Sequence, residues 1–211
     1  MLSETIKTLE TAYTLLNEEL FDNSLPDVCI TIQHPKKRNK KSTVLGWFST
    51  EQVWIDGNNT EMFEINITSD CLNKSFIDII GVLIHEMVHV YCHTHHIEDC
   101  NGKKHNEHFK AQCEAVGLSC EKDKSVGWGI TAVTLDLRDK ILALSLDESA
   151  FENRCEAIII EREPKEQKPK PVYICPGCQE KLKSKKTDLA IMCVKCNQQF
   201  ELVYEEKQPK Q

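Results

Sequence analysis

Apolar residues recur three and four apart near the start of the chain, at Ile6, Leu9, Tyr13, Leu16 and Leu20, between charged neighbours. That spacing, with Ser3 as an N-cap, predicts an amphipathic helix over residues 3–20. Phe21 to Pro26 (FDNSLP) ends it, and the pattern then shortens towards strict alternation. β-Branched, alternating stretches predict strands over 28–33, 44–48, 53–55 and 63–68, with Gly46 as a bulge and Trp47 and Trp54 on or inside a sheet. Residues 79–91 (IIGVLIHEMVHVY) are apolar on nearly every side and predict a buried helix, capped by Asn73 or Ser75, or by Ser69 or Asp70 if the helix begins near Cys71. A polar loop over 92–104 leads to a second helix, 105–116, stopped by Gly117. Beyond it, 126–130 reads as a turn, 131–137 as a strand, 141–146 as strand or helix, and 148–160 as a short helix; 126–146 carries no recognisable chemistry.

The composition changes at residues 161–171 (EREPKEQKPKP), a charged, proline-punctuated linker. The expected organisation is a main domain over 1–160, this linker, a small cysteine-bearing module over 172–204 and a flexible tail over 205–211. Helices and short strands mixed along one chain give an α+β fold, and 211 residues with 40% hydrophobic content suffice for one core and an appendage.

The buried helix carries the chemistry. Its order His85-Glu86-Met87-Val88-His89 sets two imidazoles one turn apart on one face, with the Glu86 carboxylate rotated by about 100°. Burying this trio without a partner costs on the order of 1–3 kcal/mol for each neutral polar group and more for a charge, so a metal is expected there. Two nitrogens, an open position and a nearby base are what a zinc hydrolase needs; zinc lowers the pKa of a water towards about 7 and Glu86 takes its proton. The third ligand stays open on the residues alone, because His93, His95, His96, His105 and His108 all follow, as do Glu107 and Glu114. His95 stands six residues after His89, but Cys92 occupies the place where a metzincin-type turn needs glycine.

Cys175-Pro-Gly-Cys178 and Cys193-Val-Lys-Cys196 are two Cys-x-x-Cys knuckles separated by fourteen residues. Four thiolates from two tight turns make a closed, structural zinc site, and the module is too small to fold without it. The other seven cysteines show no ligand spacing and are expected as free thiols in or near the core.

A net charge of −7 excludes a basic coat over the whole chain, but two segments stand out. Lys36, Lys37, Arg38, Lys40 and Lys41 crowd one loop, and Lys181, Lys183, Lys185 and Lys186 follow the first knuckle; both are candidate nucleic-acid contacts and both equally suit solvated surface. MLSETIKTLE lacks the basic start and apolar run of a signal peptide, and the longest apolar stretch ends at His85, so no membrane partner is expected. The expected compartment is a reducing cytoplasm.

With these residues in view, the chain resembles the SprT-like metallopeptidases, the group that includes Spartan. The resemblance rests on His85-Glu86-Met-Val-His89 followed by His105-Asn106-Glu-His-Phe109, and on Leu20-Phe21, Leu25-Pro26, Leu45-Gly46-Trp47-Phe48 and Glu64-Ile-Asn-Ile67 upstream. It covers roughly residues 5–120 and the C-terminal module. It implies a zincin-like domain in which the metal helix packs on a small mixed sheet, with a zinc ribbon appended. It implies His105 as third ligand and two zinc ions, one catalytic and one structural. The implied activity is a zinc endopeptidase acting on DNA-bound or DNA-crosslinked proteins, with single-stranded or junction DNA as partner and a nucleoid-associated location. Asn106 departs from the family's glycine, and a left-handed turn is expected there, which Asn tolerates next best.

Two other functions fit the same residues. One is a nucleic-acid-binding zinc protein without proteolysis, which would have no use for Glu86. The other is a cytoplasmic peptidase indifferent to DNA, with the ribbon as a protein-docking element.

Overall fold

A computed structural model describes residues 2–34, 44–152 and 170–205. The basic segment 36–41, residues 161–169 of the linker, Cys155 and the tail beyond 205 lie outside the described residues. The chain divides into two compact units, Met1–Ala157 and Ile158–Gln211.

In the first unit, helix α1 (Leu2–Phe21) turns Leu9, Ala12, Tyr13 and Leu16 inward. The turn after it is held by side chains: Asn17 donates to and accepts from the backbone of Leu25 at 3.1 Å each way, and the Tyr13 hydroxyl donates to the Pro26 carbonyl at 2.6 Å. Strands β1 (Val28–Gln33), β2 (Gly46–Ile55) and β3 (Glu61–Thr68) form a mixed sheet in the order β1-β3-β2. β1 runs parallel to β3 and β2 antiparallel, so β2 is an edge. The two strands expected over 44–48 and 53–55 are one strand, with a register shift between Ser49 and Trp54. The irregularity therefore sits past Gly46, not on it. Ile30, Ile65 and Ile67 supply the sheet's buried side.

Helix α2 (Phe76–Thr94) is the centre of the unit. Ser75 caps it, its hydroxyl accepting from the Asp78 N–H and donating to the Asp78 carboxylate. At 19 residues it is long and apolar enough to cross a bilayer, more than the apolar run alone suggested. Here it is a core helix: Ile79, Ile80, Leu83, Ile84, Met87, Val88 and Val90 have no solvent exposure. Full burial contributes roughly 1.5–3 kcal/mol for each such side chain, so most of this unit's stability is gathered around α2.

After α2 come β4 (Cys100–Asn101), β5 (Lys104–His105), α3 (Glu107–Ala115), β6 (Leu118–Asp123), β7 (Gly127–Val133) and α4 (Leu135–Ala143). The strands form a second sheet in the order β4-β5-β7-β6. Three expectations are corrected here. His105 ends a strand rather than opening a helix; the strand expected from Thr131 begins earlier, at Gly127, where a turn was expected, and stops at Val133; and 135–143 is helical, started by the Thr134 cap. Glycine at 127 and 129 hid the first half of the strand, because its inward positions there carry no side chain. Residues 148–151 form one 3₁₀ turn, tied to α1 by the Thr5 hydroxyl, which donates to the Ala150 carbonyl.

The second unit holds β8 (Lys170–Ile174), β9 (Lys181–Lys183), β10 (Met192–Cys193), β11 (Gln198–Gln199) and β12 (Glu201–Glu205). β8 is flanked by β12 and β9, and β10 pairs with β11. Its core is small: Tyr173, Cys175, Cys193 and Phe200.

Candidate metal centre

His85 and His89 leave α2 on one face, and His105 reaches them because β5 pairs in parallel with β7 at Gly127. Their ligand atoms all lie within 4.8 Å of one another, and His89 Nε2 is 3.1 Å from His105 Nε2. Each ring is held by its other nitrogen. His89 Nδ1 donates to Asp99 Oδ2 at 2.6 Å, His105 Nδ1 donates to the Val126 carbonyl at 3.0 Å, and His85 Nδ1 is bonded to Thr131 Oγ1 at 3.0 Å.

These contacts test whether a metal fits. A carboxylate and a carbonyl only accept, so His89 and His105 carry their protons on Nδ1 and point lone pairs at each other. Two lone pairs at that distance repel unless a cation lies between them. Bonds of 2.0–2.1 Å at tetrahedral angles put two zinc-bound nitrogens about 3.3 Å apart, close to what is seen. Burial holds His85 well below the ordinary imidazole range and also lowers His105, which keeps both neutral and able to ligate. The residues fit zinc.

Strand β7 positions two of the three rings. Gly127, Gly129 and Thr131 alternate towards them, and Trp128 faces away, between Lys110 and Lys122. A Cβ at Gly129 would lie 2.3 Å from His105 Nδ1; one at Gly127, whose φ is +66°, would lie 2.2 Å from the His105 carbonyl oxygen. Both positions therefore exclude any side chain. Phe109, fully buried on α3, underlies all three imidazoles with centroid separations of 4.8, 4.6 and 4.3 Å to His85, His89 and His105. Asn106 sets that phenyl. Its backbone is extended (φ −101°, ψ −171°), not left-handed, and its side chain accepts from the His108 and Phe109 N–H groups while donating to the Glu98 carbonyl. It acts as an N-cap, one of the strongest, so the departure from glycine is accommodated.

Glu86 is 4% exposed and burial raises its carboxyl to about 7. It lies against the start of β2, where a Cβ on Gly46 would come within 2.8 Å of Glu86 Oε1. Glu86, Gly46 and the three imidazoles share one open cleft of about 420 Å³, so this centre keeps an accessible side, as a catalytic metal site does and a structural one does not.

The other candidates are elsewhere. His95 caps the end of α2 and bonds back to the Tyr91 carbonyl; His96 is exposed; His108 bonds to the Glu98 carbonyl. His93 belongs to an aromatic group with Phe48 and Phe63. Glu107 pairs with Lys122 and Glu114 with Lys110. Tyr91 packs on Phe21 and His95 on the far side of α2 and does not line the cleft. Sequence reasoning missed Asp99, Thr131, the Val126 carbonyl and the two glycines. Only Asp99, an acid in a short polar loop near a histidine motif, left a trace. Burial would raise Asp99, but its bond from His89, with smaller help from Cys100 and the backbone, outweighs this and holds it below the usual carboxylate range. Cys100 also lies within ligand distance of Asp99 and His89. Trp54 donates to Glu64 on the sheet surface, and Trp47 lines the cleft.

In the second unit Cys175, Cys178, Cys193 and Cys196 converge within the same 4.8 Å limit. Cys178 and Cys193 sulfurs are 3.6 Å apart, near the roughly 3.8 Å expected from zinc–sulfur bonds of about 2.3 Å. Backbone N–H groups of Cys178 and Gly177 lower Cys175 to about 7, favouring thiolate. Lys181, Lys183, Lys185 and Lys186 are all exposed.

A family model described as SprT-like matches residues 9–126, more than half of the chain. No curated protein and no solved structure matches it.

Proposed function

The chain belongs to the SprT-like family, a metallopeptidase-like group, and from that premise we propose that it is a zinc endopeptidase that cleaves proteins bound or crosslinked to DNA. The observation that carries the peptidase reading is the anchored imidazole trio with a buried carboxylate beside it in an open cleft.

His85, His89 and His105 would hold zinc, which when bound supplies a Lewis acid for the scissile carbonyl and an acidified water. Glu86 takes the proton of the attacking water and delivers it to the leaving amine, work suited to a carboxyl near neutrality. An extended substrate pairs with the edge of β2, which no other strand among the described residues covers and whose Gly46 to Phe48 segment borders the cleft. The DNA arm of the proposal is supported by the family and by the exposed ribbon lysines. A cytoplasmic, nucleoid-associated location belongs to the same proposal.

The test is cleavage of a protein crosslinked to single-stranded DNA, with and without free DNA, by wild type and Glu86→Gln. DNA-stimulated cleavage by wild type alone supports the reading. Cleavage indifferent to DNA overturns its DNA arm, and DNA binding without cleavage by either protein overturns catalysis.

A further inference from the structure

One turn past His89, the cleft is walled by Phe48, His93 and Ile97. Phe48, Phe63 and His93 form a closed aromatic group with centroid separations of 5.4 to 5.6 Å. Phe48 and Ile97 touch the core, whereas Phe63 and His93 lie outside it, and none of the four is buried. The fold thus leaves an aromatic and aliphatic surface in contact with water inside a cleft, where such surface marks a place for an apolar group. It is continuous with the metal centre and with the edge of β2 that no other strand among the described residues covers.

We propose that this surface is a specificity subsite, receiving a bulky apolar side chain of the substrate, aromatic or long aliphatic, beside the scissile bond. The proposal rests on the peptidase reading. Spacing sets the position: four residues of helix from His89 to His93 advance about 6 Å, and an extended peptide advances about 3.3 Å per residue. The selected side chain therefore falls within about two residues of the cut. Edge-to-face packing on Phe48 and His93 favours an aromatic occupant over an aliphatic one of equal area. An acidic side chain there would lose hydration against Phe48 and Ile97 without gaining a partner from them.

The experiment has two arms. In the first, zinc-loaded wild type, Phe48→Ala and His93→Ala digest a panel of unfolded proteins, and the termini produced are sequenced by mass spectrometry. Bulky apolar residues enriched at one position within two of the cut, with that enrichment falling roughly tenfold in His93→Ala, support the proposal. His93 is exposed, so this variant keeps its fold even if Phe48→Ala loses stability. The same residue distribution in wild type and His93→Ala overturns the subsite while leaving the peptidase standing. In the second arm, Glu86→Gln binds fluorescent peptides differing only at one position, Phe, Leu, Ala or Asp. Affinity in the order Phe, Leu, Ala, Asp supports the proposal, and equal affinity overturns it. Absence of any cleavage by wild type sinks the peptidase reading instead, and the binding arm then decides the subsite by itself.

Discussion

His89 and Asp99 share a 2.6 Å hydrogen bond that joins the helix bearing two of the proposed ligands to the loop that leads to the third. The same loop is fixed at its next turn, because the Asp99 carbonyl accepts from the Asn106 N–H at 2.9 Å. Removing the carboxylate frees the His89 ring and its tautomer together. Asp99→Ala is expected to weaken zinc binding at the histidine site by roughly 10–100-fold, measured by chelator competition. Asp99→Asn keeps an acceptor oxygen for Nδ1 and is expected to lose less. Equal losses in both variants would show that the charge, not the orientation, is what matters.

Gly129 makes a sharper prediction. A methyl group there collides with His105 Nδ1, so the ring has to leave its bond to Val126. Gly129→Ala is expected to abolish zinc binding at the three-histidine site while the ribbon keeps its own metal. Zinc stoichiometry after partial chelation reads this directly, and far-ultraviolet circular dichroism checks that α2 and α3 persist. Full zinc retention would mean that β7 yields and does not clamp the ring.

Gly46 faces Glu86, the proposed base, rather than a proposed ligand. Its added Cβ would press on Glu86 Oε1 and on the Asn66 carbonyl behind it, and the carboxylate is the part free to give way. Gly46→Ala is therefore expected to lower kcat by about a hundredfold with little change in zinc affinity, the signature of a displaced catalytic group. Loss of zinc in step with activity would place the damage on α2 instead.

How much of this was legible beforehand depends on distance along the chain. His85, Glu86 and His89 could be placed because a helix repeats every 3.6 residues, and the four ribbon cysteines because two tight turns impose their own spacing. His105 needed the family resemblance, since its approach depends on pairing with Gly127 across two intervening elements. Thr131 lies 46 residues from the ring that it holds, and no local pattern carries that. Gly127 and Gly129 resembled a turn for the same reason that they matter: they lack the side chains that mark a strand. Asn106 misled in the other direction, because a tolerance for left-handed backbone was the obvious property and its capping power the operative one.

The ribbon offers the last prediction, because its stability has a different source. Beyond the sulfurs its buried side chains are few, chiefly Tyr173 and Phe200, and the Tyr173 hydroxyl is taken up by the Leu189 N–H and the Lys186 carbonyl. Such a core cannot offset the ordering entropy of the module, so a metal on the four thiolates is expected to supply the folding free energy. Cys178→Ser is expected to lower bound zinc by about one equivalent per chain and to collapse the Tyr173 and Phe200 signals to unfolded positions in NMR spectra. The first unit has its own core around α2, and its thermal transition is expected to stay within about 2 °C of wild type. Cleavage of DNA-free protein should then continue while stimulation by DNA is lost, which assigns the ribbon to recruitment. A ribbon that stays folded without its fourth thiolate would overturn the metal-dependent account of this module.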